Sequence, residues 1–154
     1  MSLTFVIPGA ATIELTDLVF DLNGTLTNRG ALIEGVEPRL KRLSSDCTIH
    51  IVSADTFGTL DELAGSLGVQ ARCVRNGDEK LDFVNNLGPR NCAVIGNGLN
   101  DCQALQVAAL GVVILGPEGA SGQSVHVADL LCANALDALD LLLEPQTLTA
   151  TLRP

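Results

Sequence analysis

Asp21 is the residue whose type and position best suit chemistry in this chain. It follows the apolar run Leu18–Phe20 and precedes a turn that contains Gly24 and Thr25. A buried strand that ends in a lone acid presents the carboxylate at the carboxyl edge of a sheet, where open α/β folds bind their ligands. The pattern predicts a nucleophilic carboxylate.

Three further segments carry groups that such a nucleophile needs, and they follow it in order. A predicted strand over 47–52 ends at Ser53, and a predicted helix start supplies the basic side chain of Lys80. A predicted strand over 91–95 then leads into the glycine-rich turn Gly96–Asp101, which contains two amides and an acid. The four segments together are far more specific than any one of them alone.

This arrangement resembles the haloacid dehalogenase (HAD) superfamily, and most closely the phosphorylation domain of P-type ATPases and their small, soluble, stand-alone relatives. The resemblance covers about Leu18 to Leu143. Motif one of that superfamily falls on residues 21–27, motif two on Ser53, motif three on Lys80 and motif four on residues 96–101. It implies an α/β fold with three layers and a mostly parallel, Rossmann-like sheet.

The resemblance also implies phosphoryl transfer through Asp21. In that chemistry the carboxylate attacks phosphorus and forms an aspartyl-phosphate, while Mg²⁺ bridges the carboxylate and a phosphate oxygen. By position it implies catalytic roles for Asp21, Asn23, Ser53 and Lys80; phosphate binding by Gly24, Thr25, Ser53, Ala54 and Lys80; metal binding by Asp21, Asn23, Asn97 and Asp101; and a supporting role for Asn100.

Two amides stand where phosphatases of the superfamily have acids. Asn23 replaces the general acid and base, and an amide cannot shuttle a proton at neutral pH, so we expect hydrolysis to slow by roughly 10²- to 10⁴-fold. Asn97 replaces a metal-binding Asp, which should weaken the Mg²⁺ site. Each amide precedes a glycine, and we advance the hypothesis that slow deamidation partly restores the acids.

Several of these residues have plain structural alternatives. Asp55 is better suited to cap the following helix than to do chemistry, and Asn100 and Asp101 are equally suited to capping. Asn23 is also suited to stabilising its turn, and Lys80 to lying solvated in a first helical turn. The Gly-x-Gly of the glycine-rich turn lacks a third glycine, so a dinucleotide-binding loop is a weak competitor.

The amide substitutions leave two classes of function open. The first is a Mg²⁺-dependent phosphohydrolase or phosphotransferase with reduced turnover, acting on a phosphorylated small molecule or a phosphoprotein. The second is a non-catalytic phosphate-sensing or protein-binding module that retains the fold.

Composition narrows the range of partners. A net charge of −9 disfavours nucleic acid, because binding to a phosphate backbone depends on clustered Lys and Arg. With two distant histidines and no Cys-x-x-Cys pair among five cysteines, a zinc site is not indicated. Four cysteines fall in predicted strands, where buried thiols behave as small hydrophobes: Cys47, Cys73, Cys92 and Cys132.

The 154 residues suit one domain, with the core at about 18–143 and a C-terminal tail over 144–154 that is predicted to be extended or to mediate contacts. Apolar runs and helix-spaced leucines alternate along the core, which predicts a doubly wound sheet. Thr4–Ile7 and Thr12–Leu15 flank Pro-Gly and predict an N-terminal β-hairpin. No run is long enough to span a membrane and no signal peptide is evident, so we expect a soluble, cytoplasmic protein.

The connections over 27–36 and 56–80 are too short to hold an inserted cap domain. We therefore expect an open site. Relatives without a cap usually act on large substrates or close the site with a neighbouring subunit, so the resemblance also implies a homo-oligomer that covers the site.

Overall fold

The computed structural model describes residues 1–154 as a parallel sheet between two layers of helices. The strands are β1 (Leu3–Phe5), β2 (Ile13–Leu15), β3 (Asp17–Phe20), β4 (Thr27–Asn28), β5 (Ala31–Leu32), β6 (Thr48–Ser53), β7 (Gln70–Cys73), β8 (Cys92–Gly96), β9 (Leu110–Ile114) and β10 (Leu130–Cys132). The helices are α1 (Val36–Leu43), α2 (Leu60–Leu67), α3 (Gly77–Leu87), α4 (Cys102–Val107), α5 (Gly122–Val127), α6 (Ala135–Leu143) and α7 (Pro145–Leu152), and short 3₁₀ turns cover Pro89–Asn91 and Leu99–Asp101.

The main sheet has six strands in the order β10-β9-β8-β3-β6-β7, and every neighbouring pair is parallel. The chain moves from β3 to β6 and β7 on one side, and then returns to β8, β9 and β10 on the other. Phe20 of β3 lies between Ile51 of β6 and Ile95 of β8. The segments that follow these three strands therefore meet at one edge, at the point where the strand order reverses. Ligands bind at this point in open α/β sheets.

Alternation along the strands supplies both faces of the sheet with apolar side chains, as expected for buried parallel strands. Leu18 and Phe20 face one cluster, together with side chains from α1, α2, α6 and α7, whereas Val19 and Val52 face a second cluster beneath α3 and α4. The predicted doubly wound α/β fold is confirmed. None of the helices combines the length and apolarity needed to cross a bilayer.

The N-terminal hairpin is confirmed, with β1 and β2 paired antiparallel and shorter than predicted. The prediction of an extended C-terminal tail is wrong. Pro145 begins the helix α7, and Leu148 of that helix is fully buried. Proline suits the first helical position because its missing N–H has no partner there in any case. Among the cysteines, Cys73 is exposed because β7 is the edge strand, while the other three predicted to be buried are buried.

Candidate active site at the carboxyl edge of the sheet

Asp21, Ser53 and Gly96 end or follow the three adjacent strands β3, β6 and β8. The main-chain N–H of Asp21 donates to the carbonyl of Ile95 at 2.9 Å, which continues the ladder one residue past β3. Asp21 is 8% exposed and Ser53 is 1% exposed. The sheet thus holds the predicted nucleophile and the predicted phosphate-binding hydroxyl side by side.

Lys80 reaches this edge from the first turn of α3 and is buried there. Asn76 caps the helix by accepting the N–H of Glu79 at 3.0 Å. Lys80 Nζ donates to Asp21 Oδ1 at 3.0 Å and also to Asp101 Oδ1. Lys80 is 1% exposed, so the alternative of a solvated lysine is wrong. Two carboxyl groups and one ammonium share the site, and their net charge is negative when both carboxyl groups are ionised.

Burial and charge change the pKa of both ionisable partners at this site. Desolvation, followed by the nearby charge of Asp101, raises the pKa of Asp21 to about 7, although Lys80 opposes this rise. Burial by itself lowers the pKa of Lys80, but the charges of Asp101 and Asp21 raise it above its ordinary value. Lys80 is therefore a permanent cation at this site, while Asp21 exchanges its proton near neutral pH.

Asp101 anchors the glycine-rich turn. Its Oδ2 accepts the main-chain N–H groups of Asn97 at 3.0 Å and Gly98 at 2.9 Å, and its Oδ1 accepts from Lys80. A side chain on Gly96 would collide with this carboxylate, so the strand has to end in glycine. Both Asp101 oxygens are occupied by protein donors, and the predicted metal-binding role of Asp101 stays a prediction.

Asn97 links two loops of the site. Its Nδ2 donates to the carbonyl of Gly119 at 3.0 Å, and its Oδ1 accepts a long hydrogen bond of 3.4 Å from Thr25 Oγ1. The N–H of Ser121 donates to the Asn97 carbonyl at 2.8 Å. Ser124, fully buried in α5, donates its hydroxyl to the Gly98 carbonyl at 2.7 Å. Sequence reasoning missed Ser124, because a serine in a short helix carries no distinctive signal.

The turn after Asp21 is held by its own polar groups. Thr27 Oγ1 donates to the carbonyl of Leu22 at 3.1 Å and lies 3.5 Å from Asn23 Oδ1, so the Asn23 side chain faces its own turn. Gly24 has φ +78°, and a Cβ there would overlap the amide of Asn97. Sequence reasoning overlooked Thr27, and the turn-stabilising alternative for Asn23 has direct support.

Local hydrogen bonds oppose the deamidation hypothesis. Deamidation requires the nitrogen of the following glycine to attack the side-chain amide carbon. The Gly24 N–H donates to the Thr27 carbonyl at 3.1 Å, and the Gly98 N–H donates to Asp101. Each nitrogen is held in place by a bond that the reaction would have to break.

Ser53 is the last residue of β6, and the loop that follows directs the Asp55 side chain to the start of α2. Ser53 Oγ accepts the N–H of Asp55 at 3.0 Å, and Asp55 Oδ1 accepts the N–H of Leu60 at the start of α2 at 2.9 Å. Asp55 thus binds the first N–H of α2, as predicted for a capping role, although the N-cap position itself is Thr59. Ala54 is exposed at the same edge, and Asn100 is half-buried on the turn that packs against the start of α3.

The oxygen atoms left for a cation suit a hard ion. Asp21 Oδ2 forms no side-chain hydrogen bond, and Asn97 Oδ1 accepts only the long bond from Thr25. No group of three or more His, Cys, Asp and Glu side chains is arranged to hold a metal. A set of one carboxylate with amide and carbonyl oxygens fits Mg²⁺, which keeps several waters and takes few carboxylates, but it supplies one negative charge fewer than two acids would.

The hairpin of β4 and β5 lies over this edge of the sheet. The Arg29 N–H donates to Glu118 Oε2 at 3.0 Å on the loop after β9, and Gly30 packs against Phe57 on the loop after β6. No inserted domain is present between β5 and α1. Asp21 itself is only 8% exposed, and the expectation that the site is open to large substrates stays a prediction.

Comparison with other sequences gives two relatives and no match to a family model. An uncharacterized protein of Methanocaldococcus jannaschii is 44% identical over 59 residues, which are 38% of this chain and 63% of that protein. A soluble P-type ATPase-like phosphatase of the same organism is 27% identical over 123 residues, which are 76% of this chain and 45% of that protein. The chain spans less than two thirds of the length of either relative.

Solved structures resemble this fold over most of its length. One is the 3-deoxy-D-manno-octulosonate 8-phosphate phosphatase of Moraxella catarrhalis in complex with magnesium, phosphate and KDO. It has a TM-score of 0.71 at 20% identity, and the match covers 88% of this chain and 90% of that one. A Legionella pneumophila protein assigned to the HAD superfamily, subfamily III A, has a TM-score of 0.71 at 18% identity, covering 90% of this chain and 87% of that one. The cobalt-bound octulosonate phosphatase of Haemophilus influenzae has a TM-score of 0.70 at 14% identity, covering 88% of this chain and 91% of that one. The chain has the HAD fold, and the resemblance predicted from its motifs is confirmed at that level.

Proposed function

We propose that this protein is a phosphohydrolase or phosphotransferase of the HAD type with Asp21 as its nucleophile. The observation that carries the proposal is the buried contact of Lys80 with both Asp21 and Asp101 at the carboxyl edge of β3. A buried lysine beside a carboxylate of raised pKa is a typical feature of active sites. The phosphatases that share the fold, two of them bound to metal, support the same function.

The reaction starts with an attack by an ionised Asp21 oxygen on the phosphorus of a phosphate monoester. The bond from Asp21 to phosphorus forms as the bond to the leaving oxygen breaks, and that oxygen keeps the electron pair. Lys80 offsets the charge of the phosphoryl group, and the Ser53 hydroxyl donates to one of its oxygens. Because Asn23 has no proton to give, the leaving oxygen takes its proton from solvent.

The second half of the reaction returns Asp21 to its starting state. A water molecule attacks phosphorus, the bond to Asp21 breaks, and inorganic phosphate is released. Without a carboxylate at position 23 to remove the proton of this water, we expect the aspartyl-phosphate to persist, and hydrolysis to be slower by roughly 10²- to 10⁴-fold than with a general base.

Asp21, the Asn23 carbonyl and Asn97 are the residues that would hold Mg²⁺. When bound, the ion supplies charge neutralisation for the phosphoryl oxygens. The substrate is a phosphorylated small molecule or a phosphoprotein, and a neighbouring subunit of a homo-oligomer would cover the site when that substrate binds.

Thermal unfolding with Mg²⁺ and beryllium fluoride, a mimic of aspartyl-phosphate, tests this proposal without a known substrate. A ligand at 100 times its dissociation constant stabilises by about 2.7 kcal/mol, which corresponds to roughly 5 to 11 °C for a domain of this size. We expect this rise in the wild type and none in Asp21→Asn.

Asp55→Asn is the matched control for this experiment. It removes a carboxylate from the same edge of the sheet, yet the amide oxygen still accepts the N–H that starts α2. It should keep the full response to beryllium fluoride. The proposed nucleophile would be contradicted if the unfolding temperature of the wild type did not rise, or if that of Asp21→Asn rose equally.

The second candidate is a phosphate-sensing or protein-binding module without turnover. It is favoured by the Asn97 amide, which bridges Gly119 and Thr25 in the place of a metal-binding acid. This function predicts a phosphorylated ligand or protein partner that binds wild type and Asp21→Asn equally well, with no covalent phosphoenzyme in either protein.

A further inference from the structure

A second polar cavity lies on the flank of the sheet, apart from the site at Asp21. Its volume is about 150 Å³, it is partly open to solvent, and it is lined by residues of β6, β7 and α3: His50, Gln70, Ala71, Arg72 and Phe83. His50 precedes Ser53 by three residues, which places it roughly 10 Å back along the strand. The volume is far larger than one water molecule requires.

His50 has one ring nitrogen without a protein partner. The residue is 4% exposed, and its Nε2 lies 2.8 Å from Asp17 Oδ1, while the other oxygen of Asp17 accepts the Thr16 hydroxyl at 2.7 Å. No protein group bonds to His50 Nδ1. A carboxylate only accepts hydrogen bonds, so Nε2 carries the proton, and in the neutral ring Nδ1 is a buried acceptor that needs a donor.

The remaining walls of the cavity supply a positive charge and an apolar surface. Arg72, an exposed residue of the edge strand, lines the cavity and its charge also lowers the pKa of Glu79, while the ring of Phe83 meets His50 edge-on with centroids 5.5 Å apart. An adjoining cavity of about 430 Å³ shares Arg72 and Phe83 but also carries Glu79 and Asp82, which repel anions. The lining of the cavity at His50 includes no carboxylate, although Asp17 contacts the far nitrogen of the His50 ring, so a small anion is favoured there over the adjoining cavity.

We propose that this cavity binds a small oxyanion that also carries a hydroxyl. The negative oxygen pairs with Arg72, and the hydroxyl donates to His50 Nδ1. Hydrogen phosphate and short hydroxycarboxylates both have this chemistry, whereas sulfate and acetate at neutral pH have the charge but no O–H to donate. The proposal does not depend on the function of the site at Asp21.

The test is a titration of the ¹⁵N-labelled protein at constant ionic strength and pH 7.5, followed at the imidazole nitrogens by NMR. Phosphate and lactate serve as probes and identify which anion binds, and sulfate and acetate serve as their counterparts without a hydroxyl. We expect a saturable change at His50 Nδ1 with phosphate, lactate or both, and a response about tenfold weaker with sulfate and acetate. His126, the only other histidine, is exposed on α5 and provides an internal reference.

Arg72→Gln should weaken the response at His50 by about tenfold, because a charged hydrogen-bond donor is lost. Arg75→Gln is the matched control, since Arg75 is also exposed but pairs with Glu79 and does not line the cavity. The proposal is overturned by the absence of any saturable change at His50, by equal responses to sulfate and phosphate, by a parallel change at His126, or by an undiminished response in Arg72→Gln.

Discussion

Replacing Asp21 by Asn should make the ligand-free protein more stable. The carboxylate is buried beside Asp101, and burial together with that charge raises its pKa from 3.8 to about 7. A pKa change of one corresponds to about 1.4 kcal/mol, so the ionised group costs at most about 4 kcal/mol. The amide keeps the shape and an acceptor for Lys80, which still pairs with Asp101. We expect a gain of about 1 to 4 kcal/mol.

The sign of the pH dependence is part of this prediction. A carboxyl whose pKa is raised on folding binds its proton more tightly in the folded state, so its ionisation reduces stability as the pH rises from about 4 to about 7. The advantage of Asp21→Asn should therefore be near zero at pH 4, grow through this interval and stay constant above about pH 7.

Urea unfolding of wild type, Asp21→Asn and Asp55→Asn at pH 4.5, 6 and 8 measures the effect, because the free energy of unfolding is extrapolated at each pH. The free energy of unfolding of Asp55→Asn should not increase relative to wild type between pH 4.5 and 8, since Asp55 is half-exposed on its loop. The reasoning is refuted if Asp21→Asn is less stable than wild type at pH 8, or if its advantage does not change with pH.

Three further variants test individual contacts. Asn97→Asp should lower the free energy of unfolding by about 1 to 3 kcal/mol without metal, since a carboxylate replaces the donor that faces the Gly119 carbonyl. Mg²⁺ should stabilise this variant more than wild type, and equal Mg²⁺ responses in thermal unfolding would contradict that prediction. Ser124→Ala should cost about 0.5 to 1.5 kcal/mol in urea unfolding, because it removes one hydrogen bond from the Gly98 carbonyl, which still accepts the N–H of Asp101. Ser121→Ala, whose contact to the turn is through the main chain, should cost little. Asn23→Asp should raise hydrolysis of the phosphoenzyme by roughly 10²-fold or more, measured as the decay of acid-stable phosphate on Asp21; an unchanged decay rate would remove the role assigned to position 23.

The order of the chemical groups could be read from the sequence because each follows a local signal. Apolar strands ending at Asp21, Ser53 and Gly96 predict a common edge, since parallel strands place their carboxyl ends together. The fold and the N-terminal hairpin follow from apolar periodicity and turn residues. Local signals failed at the C-terminal tail, where Pro145 starts a helix that is stable because Leu148 is buried against other elements.

Only the tertiary structure decided how these groups are used. The burial of Lys80 between two carboxylates, and with it the raised pKa of Asp21, depends on how α3 packs against the sheet. The contacts of Asn97 with the loop after β9, and of the hairpin with Glu118, join residues far apart in the chain.

Sequence by itself therefore determined the fold, the order of the motifs and the identity of the predicted nucleophile, because strand and turn propensities act over a few residues. Desolvation, charge coupling and loop-to-loop hydrogen bonds depend on distances between residues such as Asp21 and Asp101, which lie 80 positions apart in the sequence. Packing alone brings such residues together, and so the ionisation state and accessibility of the site were decided by the tertiary structure.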